Sequence, residues 1–478
     1  MRKFLLTITI GWLFTVNGFG QEKWDLRRCV DYALANNISV QQSKVQERLS
    51  ELVYLQSKDG RWPTANIQGS GGEQFGRSVD PTTNLFTTQA ISFVNLGLQS
   101  GVTLFNFFSI KNGIEANKLT FAANKAQTDK IRSDISLNVA AAYLQALLAN
   151  ETAFIADVQV SQTKEQLNAT RKRVDAGGLP ELNAAELEAQ LALDSSSLIT
   201  AQGQYQLNLL SLKALLNLDA AVPFDIATPP AELIPVLPIS ELDPAIVFSN
   251  AVTTQPLQLA NELRLKAAQK NTAALRGQMY PSIGAFGNLN SSYSSAQKNI
   301  NVGTPTIVYE PSPLYVPFNG TNFPVYSPSQ KYPSVQDANL FRQFDRNFRQ
   351  SFGLSLNVPI FNGNQARTQW QRAKLDEVNK SLQSLADSQT LKQDIYQAYQ
   401  NATTSLQTFN SRKKAVETAE KSYMLGQKRY DIGLLPTLDL ITLQTNLQRA
   451  KLNAASAQYD YIFRLKVLEF YKNNTIKL

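Results

Sequence analysis

The chain of 478 residues has no histidine, a single cysteine and three methionines. Without histidine, a Ser-His-Asp triad, a Cys-His dyad and the usual zinc sites cannot be built. Nor can a serine be activated in the ordinary hydrolase manner. Cys29 alone cannot close an intramolecular disulfide. It follows Leu26-Arg27-Arg28 rather than an apolar leader, so it reads as a small buried apolar residue and not as a lipid attachment point. Scarce methionine and absent histidine leave no cluster of soft-metal ligands. No catalytic residue, cofactor or metal site is therefore expected, and the chain does not read as an enzyme. One-sign charge is missing too. The formal charge is +8, but both signs interleave and no nucleic-acid patch stands out. Beyond the N-terminal segment there is no run of 18 apolar residues. A membrane would have to be crossed by strands rather than by helices.

The N-terminal segment reads as a secretory signal peptide over residues 1–20. Arg2-Lys3 are its basic start, Phe4 to Val16 its apolar run, and Gly18-Phe19-Gly20 precede a cut ahead of Gln21.

What the rest of the chain has is a repeat. Residues 173–180 read Arg-Val-Asp-Ala-Gly-Gly-Leu-Pro, and residues 429–436 read Arg-Tyr-Asp-Ile-Gly-Leu-Leu-Pro. The offset that superposes Gly177 on Gly433 also carries Leu191, Leu198, Tyr205 and Leu212 onto Leu447, Ala454, Tyr461 and Leu468. Tyr143 falls onto Tyr399, and Val102-Thr103-Leu104-Phe105-Asn106 onto Val358-Pro359-Ile360-Phe361-Asn362. A duplicated unit of this size more often builds a wall than a catalytic pocket.

The first repeat spans 21–216: a helix over 26–61, strands within 64–106 (64–79 and 90–106), and a helical hairpin over 107–216 whose arms are 107–173 and 181–216. A proline-rich linker, 217–243, joins the halves. The second repeat spans 244–478: a helix over 244–279, strands within 282–361 (282–294 and 346–361) around an exposed loop 295–340, and a hairpin over 364–472. At 1.5 Å per residue the arm 107–173 is about 100 Å long, close to two of the short helices end to end. Leu191, Leu198, Tyr205 and Leu212 step by seven, the spacing of coiled-coil seams. The fold class is mainly α with a small β part.

Strand alternation is clear. Val94, Leu96, Leu98, Val102 and Leu104 alternate with Asn95, Gly97, Gln99, Gly101 and Thr103; Phe352, Leu354, Leu356 and Val358 alternate with Ser351, Gly353, Ser355 and Asn357. Such strands suit a half-buried sheet or a membrane barrel. Four strands cannot close a barrel alone and leave two edges that lipid does not tolerate, so a membrane barrel would be shared between chains.

The duplicated octet, together with the helix-to-strand junctions Trp62-Pro63 and Tyr280-Pro281, resembles the TolC family of outer-membrane efflux and secretion channels. The resemblance implies a homotrimer in the outer membrane: a 12-stranded β-barrel, four strands per chain, continued by a long α-helical barrel in the periplasm. It implies a passive conduit for export, docked through its tips to a periplasmic adaptor (membrane fusion) protein and driven by an inner-membrane pump, proton-driven or ABC. Its other contact is outer-membrane lipid, and nucleic acid is not a partner. Carried onto this sequence, the adaptor-docking tips are Arg173, Gly177, Leu179 and Pro180, then Arg429, Gly433, Leu435 and Pro436. The entrance or gate residues are Tyr430 and Asp439, with Asn183 at the position matching Asp439. The family's second acid falls on Thr442 and its gate arginine on Leu435, so the sequence departs here from the family's salt-bridged gate. Rival readings are a periplasmic adaptor, which would carry one hairpin and flanking β domains, and a structural coiled-coil protein of the envelope, which would lack the alternating strands.

Overall fold

The computed structural model describes residues 23–79, 86–231, 234, 237–300, 306–331, 335–337 and 339–474. The expected signal peptide lies outside these residues. In chain order the elements are α1 (Leu26–Asn36), α2 (Ile38–Asp59), β1 (Thr64–Gln74), β2 (Arg77–Val79), β3 (Phe86–Thr88), β4 (Ile91–Phe105), α3 (Ser109–Asp175) and α4 (Glu181–Leu216). They continue with α5 (Pro244–Thr254), α6 (Pro256–Gly277), β5 (Ser282–Ser294), β6 (Lys298–Ile300), β7 (Thr306–Phe318), β8 (Thr321–Lys331), β9 (Val335–Asp337), α7 (Leu340–Arg346), β10 (Arg349–Asn357), α8 (Gln365–Asp431) and α9 (Thr437–Asn473). The described residues divide into two compact units, one within residues 23–52, 117–268 and 376–474, the other within residues 53–116 and 269–375.

The first unit is helical and holds two hydrophobic cores. One contains Ile135, Val139, Ala146, Leu209 and Leu212; the other contains Leu391, Ile395, Ala402, Leu465 and Leu468. These are the same positions of the repeat, so the duplicated sequence builds duplicated cores. An 18-residue window of α3 is apolar enough to cross a bilayer by composition. Half of that window is buried in the protein, as expected where α3 supplies Val139, Tyr143 and Leu147 to the first core. The helix expected over 26–61 is two helices. Asn37 is extended between them, its side chain accepting from Ser39 N–H at 2.9 Å and donating to Leu215 O at 2.8 Å. In the second half Gln255 is extended before Pro256, which opens α6, because the residue before a proline is pushed out of the helical region.

The linker is docked, not loose. Trp24 pairs with Ile226, Tyr143 OH donates to Ala227 O at 2.6 Å, and Tyr205 OH donates to Asp225 at 2.8 Å. Asp225 also pairs with Lys23 at 2.9 Å. Burial works to raise the Asp225 carboxyl, and its bonds from Lys23, Tyr205 and the Ile226 amide outweigh this and hold it below the usual range. Two residues at one repeat position clamp the linker with opposite chemistry. Lys213 Nζ donates to the carbonyls of Ala220 (2.6 Å) and Val222 (2.5 Å). Glu469 accepts from Leu237 N–H at 2.7 Å and pairs with Lys466 at 2.8 Å, both side chains buried.

The second unit is built on one antiparallel sheet in the order β1-β4-β5-β10. Within the described residues its outer strands β1 and β10 pair with one neighbour each. The register places Ile67, Leu98 and Leu289 in one row and Ala285 opposite Leu354 in another. Leu96, Phe352 and Leu356 share that face, and all three are exposed. The other face carries Asn66, Gln99, Asn288 and Ser351 in one row. The strand expected over 346–361 ends at Asn357, before Pro359, and part of its start is in α7. The first expected strand divides into β1 and the short β2. The loop expected over 295–340 contains a long hairpin, β7–β8, closed by Asn319-Gly320 with φ of 48° and 80°, the mirror-image turn that suits twisted strands. Its prolines masked that pattern in the sequence. At the strand-to-helix elbows, Gly363 and Asn364 have φ of 64° and 60°, while Phe107 and Phe108 have 49° and 61°. Left-handed backbone at a side chain such as phenylalanine costs roughly 1–2 kcal/mol per residue.

Candidate functional site

The two hairpin tips are the same structure made twice. Gly177 N–H donates to Val174 O and Gly178 N–H to Arg173 O, each at 2.8 Å. Gly433 N–H donates to Tyr430 O at 2.9 Å and Leu434 N–H to Arg429 O at 2.8 Å. This paired pattern closes a helix only if the first residue past it is left-handed, and Gly177 and Gly433 have φ of 75° and 77°. Among the described residues nothing lies within 4 Å of a Cβ built on either, so conformation rather than crowding requires glycine. Pro180 and Pro436 hold extended backbone ahead of α4 and α9. Arg173 and Arg429 stand in the last turns of α3 and α8, where a cation complements the partial negative charge of the helix end. Arg173, Gly177, Pro180, Arg429, Gly433 and Pro436 are exposed; Leu179 and Leu435 are half-buried. The tips therefore present two matched solvent-facing surfaces.

The expected entrance residues separate. Asp439 is exposed in the first turn of α9. Asn183 is half-buried in α4 and its N–H donates to Pro180 O at 3.1 Å. Thr442 is exposed and its hydroxyl donates to Leu438 O at 2.9 Å, back into its own helix. Tyr430 is instead 4% exposed, with its hydroxyl 2.9 Å from Thr170 Oγ1.

That contact is one of the polar links between the two hairpins. Gln427 Nε2 donates to Gln166 Oε1 at 3.4 Å, and Gln444 Nε2 donates to Thr163 Oγ1 at 3.1 Å. Thr163 in turn donates to Asp194 Oδ2 at 2.6 Å. Asp194 also accepts from Gln159 at 3.3 Å and from Gln190 at 2.8 Å, and is 4% exposed. Nearer the tip, Arg171 and Glu188 form an ion pair across the first hairpin, half-exposed and of small energetic weight. Sequence reasoning missed Thr170, Thr163, Asp194 and Gln444. A signal was present: Asp194 lies three residues after Leu191 and four before Leu198, a polar side chain at a core position of the seam.

An antiparallel sheet with one apolar and one polar face, and a matched pair of helical hairpins, are the parts of an outer-membrane export channel. The comparisons agree. The chain matches the family described as outer membrane efflux protein over residues 29–218 and 248–471, and it belongs to that family. It is 19% identical to the outer membrane efflux protein BepC of Brucella suis over 90% of this chain and 81% of that one. It is 21% identical to the alkaline protease secretion protein AprF of Pseudomonas aeruginosa over 71% of this chain and 61% of that one. The open state of the MtrE outer membrane channel of Neisseria gonorrhoeae has the same fold, with a TM-score of 0.70 at 20% identity over 94% of this chain and 88% of that one. The chain is thus an outer-membrane protein whose helical part lies in the periplasm.

Proposed function

We propose that three copies of this chain close one 12-stranded barrel and form the passive conduit of a tripartite exporter. The observation that carries this reading is the sheet β1-β4-β5-β10, whose outer strands each have one partner among the described residues. Lipid cannot satisfy the free N–H and C=O groups of a sheet edge, so β1 of one copy must pair with β10 of the next. The tip surfaces around Gly177 and Gly433 dock a periplasmic adaptor, which joins the conduit to an inner-membrane pump, proton-driven or ABC. Nothing in the lumen-facing rows of asparagine, glutamine, serine and glycine selects one cargo, so the pump sets whether small molecules or a protein pass. The exposed Asp439 carboxylates, three per trimer, place negative charge at the entrance and favour cations there. The β7–β8 hairpin stands at the cell surface. Native mass measurement of the detergent-extracted protein tests the assembly. A trimer is expected, and a stable monomer overturns the shared barrel.

A further inference from the structure

The polar face of the sheet is nearly free of charge. Beside the row of Asn66, Gln99, Asn288 and Ser351, the register places Gln68, Gly97, Asn290 and Arg349, and beside that Ser70, Asn95 and Ser292. Among the described strand residues this face carries no carboxylate, and Arg349 is its one formal charge; Glu73 lies on the apolar face. Arg349 is exposed and, among the described residues, has no ion-pair partner.

These last two rows line a basin of ≈ 520 Å³. Glycine makes its room: a Cβ on Gly97 would come within 2.9 Å of Asn290 Oδ1. The arginine is set in place by its neighbours. Asn347, which caps α7 two residues before it, donates from Nδ2 to Ser292 O at 2.7 Å and to Gln297 Oε1 at 2.9 Å. Buried Gln343 accepts from Ser294 N–H and donates to Ser294 O, each at 2.9 Å. Ser291 Oγ donates to Phe344 O at 2.7 Å. Helix α7 is thereby tied to β5 and fixes the start of β10, where Arg349 stands. The basin suits an oxyanion. A guanidinium offers a planar fork of N–H donors that carboxylate, phosphate or sulfate oxygens accept in pairs. The carboxamides of Gln68, Asn95 and Asn290 add donors without charge, and no carboxylate on this face repels an anion. A cation meets only neutral oxygens and a repelling guanidinium.

We propose that this basin is an oxyanion subsite inside the conduit, in which Arg349 holds the carboxylate, phosphate or sulfate groups of cargo on its way out. The subsite favours a charge rather than one compound, and its sign is opposite to that of Asp439. The proposal rests on the shared barrel, which turns this face to the lumen and sets the arginines of the three copies around one axis, where their fields add.

Titration calorimetry of the full-length protein in a non-ionic detergent, with tripolyphosphate as the probe, tests it. Saturable binding is expected, weakening as salt is raised. Arg349→Gln is expected to bind about tenfold or more weakly, the loss of charged hydrogen bonds. Arg349→Lys keeps the charge without the fork and should fall between. Arg77→Gln is the control, because that guanidinium lies over the Phe86 ring at 4.4 Å in the separate β2–β3 pair. It should bind as the wild type does. No saturable binding by the wild type, or full binding by Arg349→Gln, overturns the proposal. An equal loss in Arg77→Gln overturns it by reducing the effect to general attraction to a basic protein. An anionic lipid carries the same chemical group. Phosphatidylglycerol added to the detergent should leave tripolyphosphate binding unchanged, since a lumen excludes lipid, and displacement overturns the proposal by setting Arg349 against headgroups. Native mass of the same samples reports the barrel separately. A trimer without binding overturns the subsite alone, and a monomer overturns the barrel and the subsite with it.

Discussion

Asp194 in the first hairpin and Ala450 in the second occupy one position of the repeat, and they do different things. Around Asp194 the chain buries Gln159 and Thr163, flanks them with the half-buried Gln190, and joins them to α9 through Gln444. The same positions in the second hairpin are Ala415, Ala419 and Asn446, and they line an open groove of ≈ 520 Å³. Ala415 is exposed; Ala419 and Ala450 are half-buried. Duplication therefore kept what both halves need, the cores and the tip caps, and let the flanks diverge. One hairpin is held by satisfied buried hydrogen bonds, which fix a single register. The other keeps small side chains that permit close approach. Gly426, where a Cβ would come within 2.3 Å of Leu443 Cδ1, shows how closely α8 and α9 already pack.

The largest expected effect lies where the halves differ most in charge. Glu469 and Lys213 clamp the linker from equivalent places, but only Glu469 has a buried cation beside it. Glu469→Ala strips Lys466 of that partner and the Leu237 amide of its acceptor, a loss of about 3–5 kcal/mol. Lys213→Ala leaves two carbonyls short of a donor and is expected to cost about 1–3 kcal/mol. Thermal unfolding in detergent should rank the two in that order. Equal losses would mean that the linker, not the ion pair, carries the energy.

The next effect separates the hairpins themselves. Asp194→Ala removes the acceptor of Gln159, Thr163 and Gln190, and a buried donor left unmet costs about 1–3 kcal/mol. Ala450→Ser, at the matching half-buried site, should stay within about 0.5 kcal/mol. Hydrogen exchange on α3 and α4 is the sharper readout: protection in the first hairpin should fall after Asp194→Ala and stay constant after Ala450→Ser. Uniform loss over both hairpins would show that the layer supports the whole helical unit.

Much of this architecture was legible because the repeat and the periodicities are long. Period-two alternation located the sheet, and the duplicated octet located both tips to the residue. Three kinds of feature were hidden. Breaks inside a helical pattern, at Asn37 and Gln255, depend on capping bonds and a following proline that change only one residue's backbone. The β7–β8 hairpin was obscured by Pro311, Pro313, Pro317, Pro324 and Pro328, which usually argue against strands, although Asn319-Gly320 was a fair signal for its turn. The inter-hairpin links at Thr163, Gln166 and Thr170 join residues far apart in sequence, and no local pattern pairs them. The sequence points to Tyr430 as an entrance residue, whereas in the chain its hydroxyl lies 2.9 Å from Thr170 Oγ1 in the interior.

The smallest effect on stability falls where the halves are most alike. Gly177 and Gly433 share φ, hydrogen bonds and open surroundings. Alanine at either meets no clash and bears only the left-handed backbone, roughly 1 kcal/mol, at an exposed tip far from both cores. The melting temperature should barely move, and by the same amount for each. Function is a different matter if the tips dock an adaptor, because relaxing the strain reshapes the surface that Leu179 and Pro180, or Leu435 and Pro436, present. In cells carrying the matching adaptor and pump, the double change Gly177→Ala with Gly433→Ala should reduce export while the amount of protein in the outer membrane stays constant. Each single change should reduce it less. Unchanged export by the double variant would make the caps simple helix ends and move docking elsewhere on the hairpins. A single variant that alone abolishes export would break the equivalence of the two tips and assign docking to one of them.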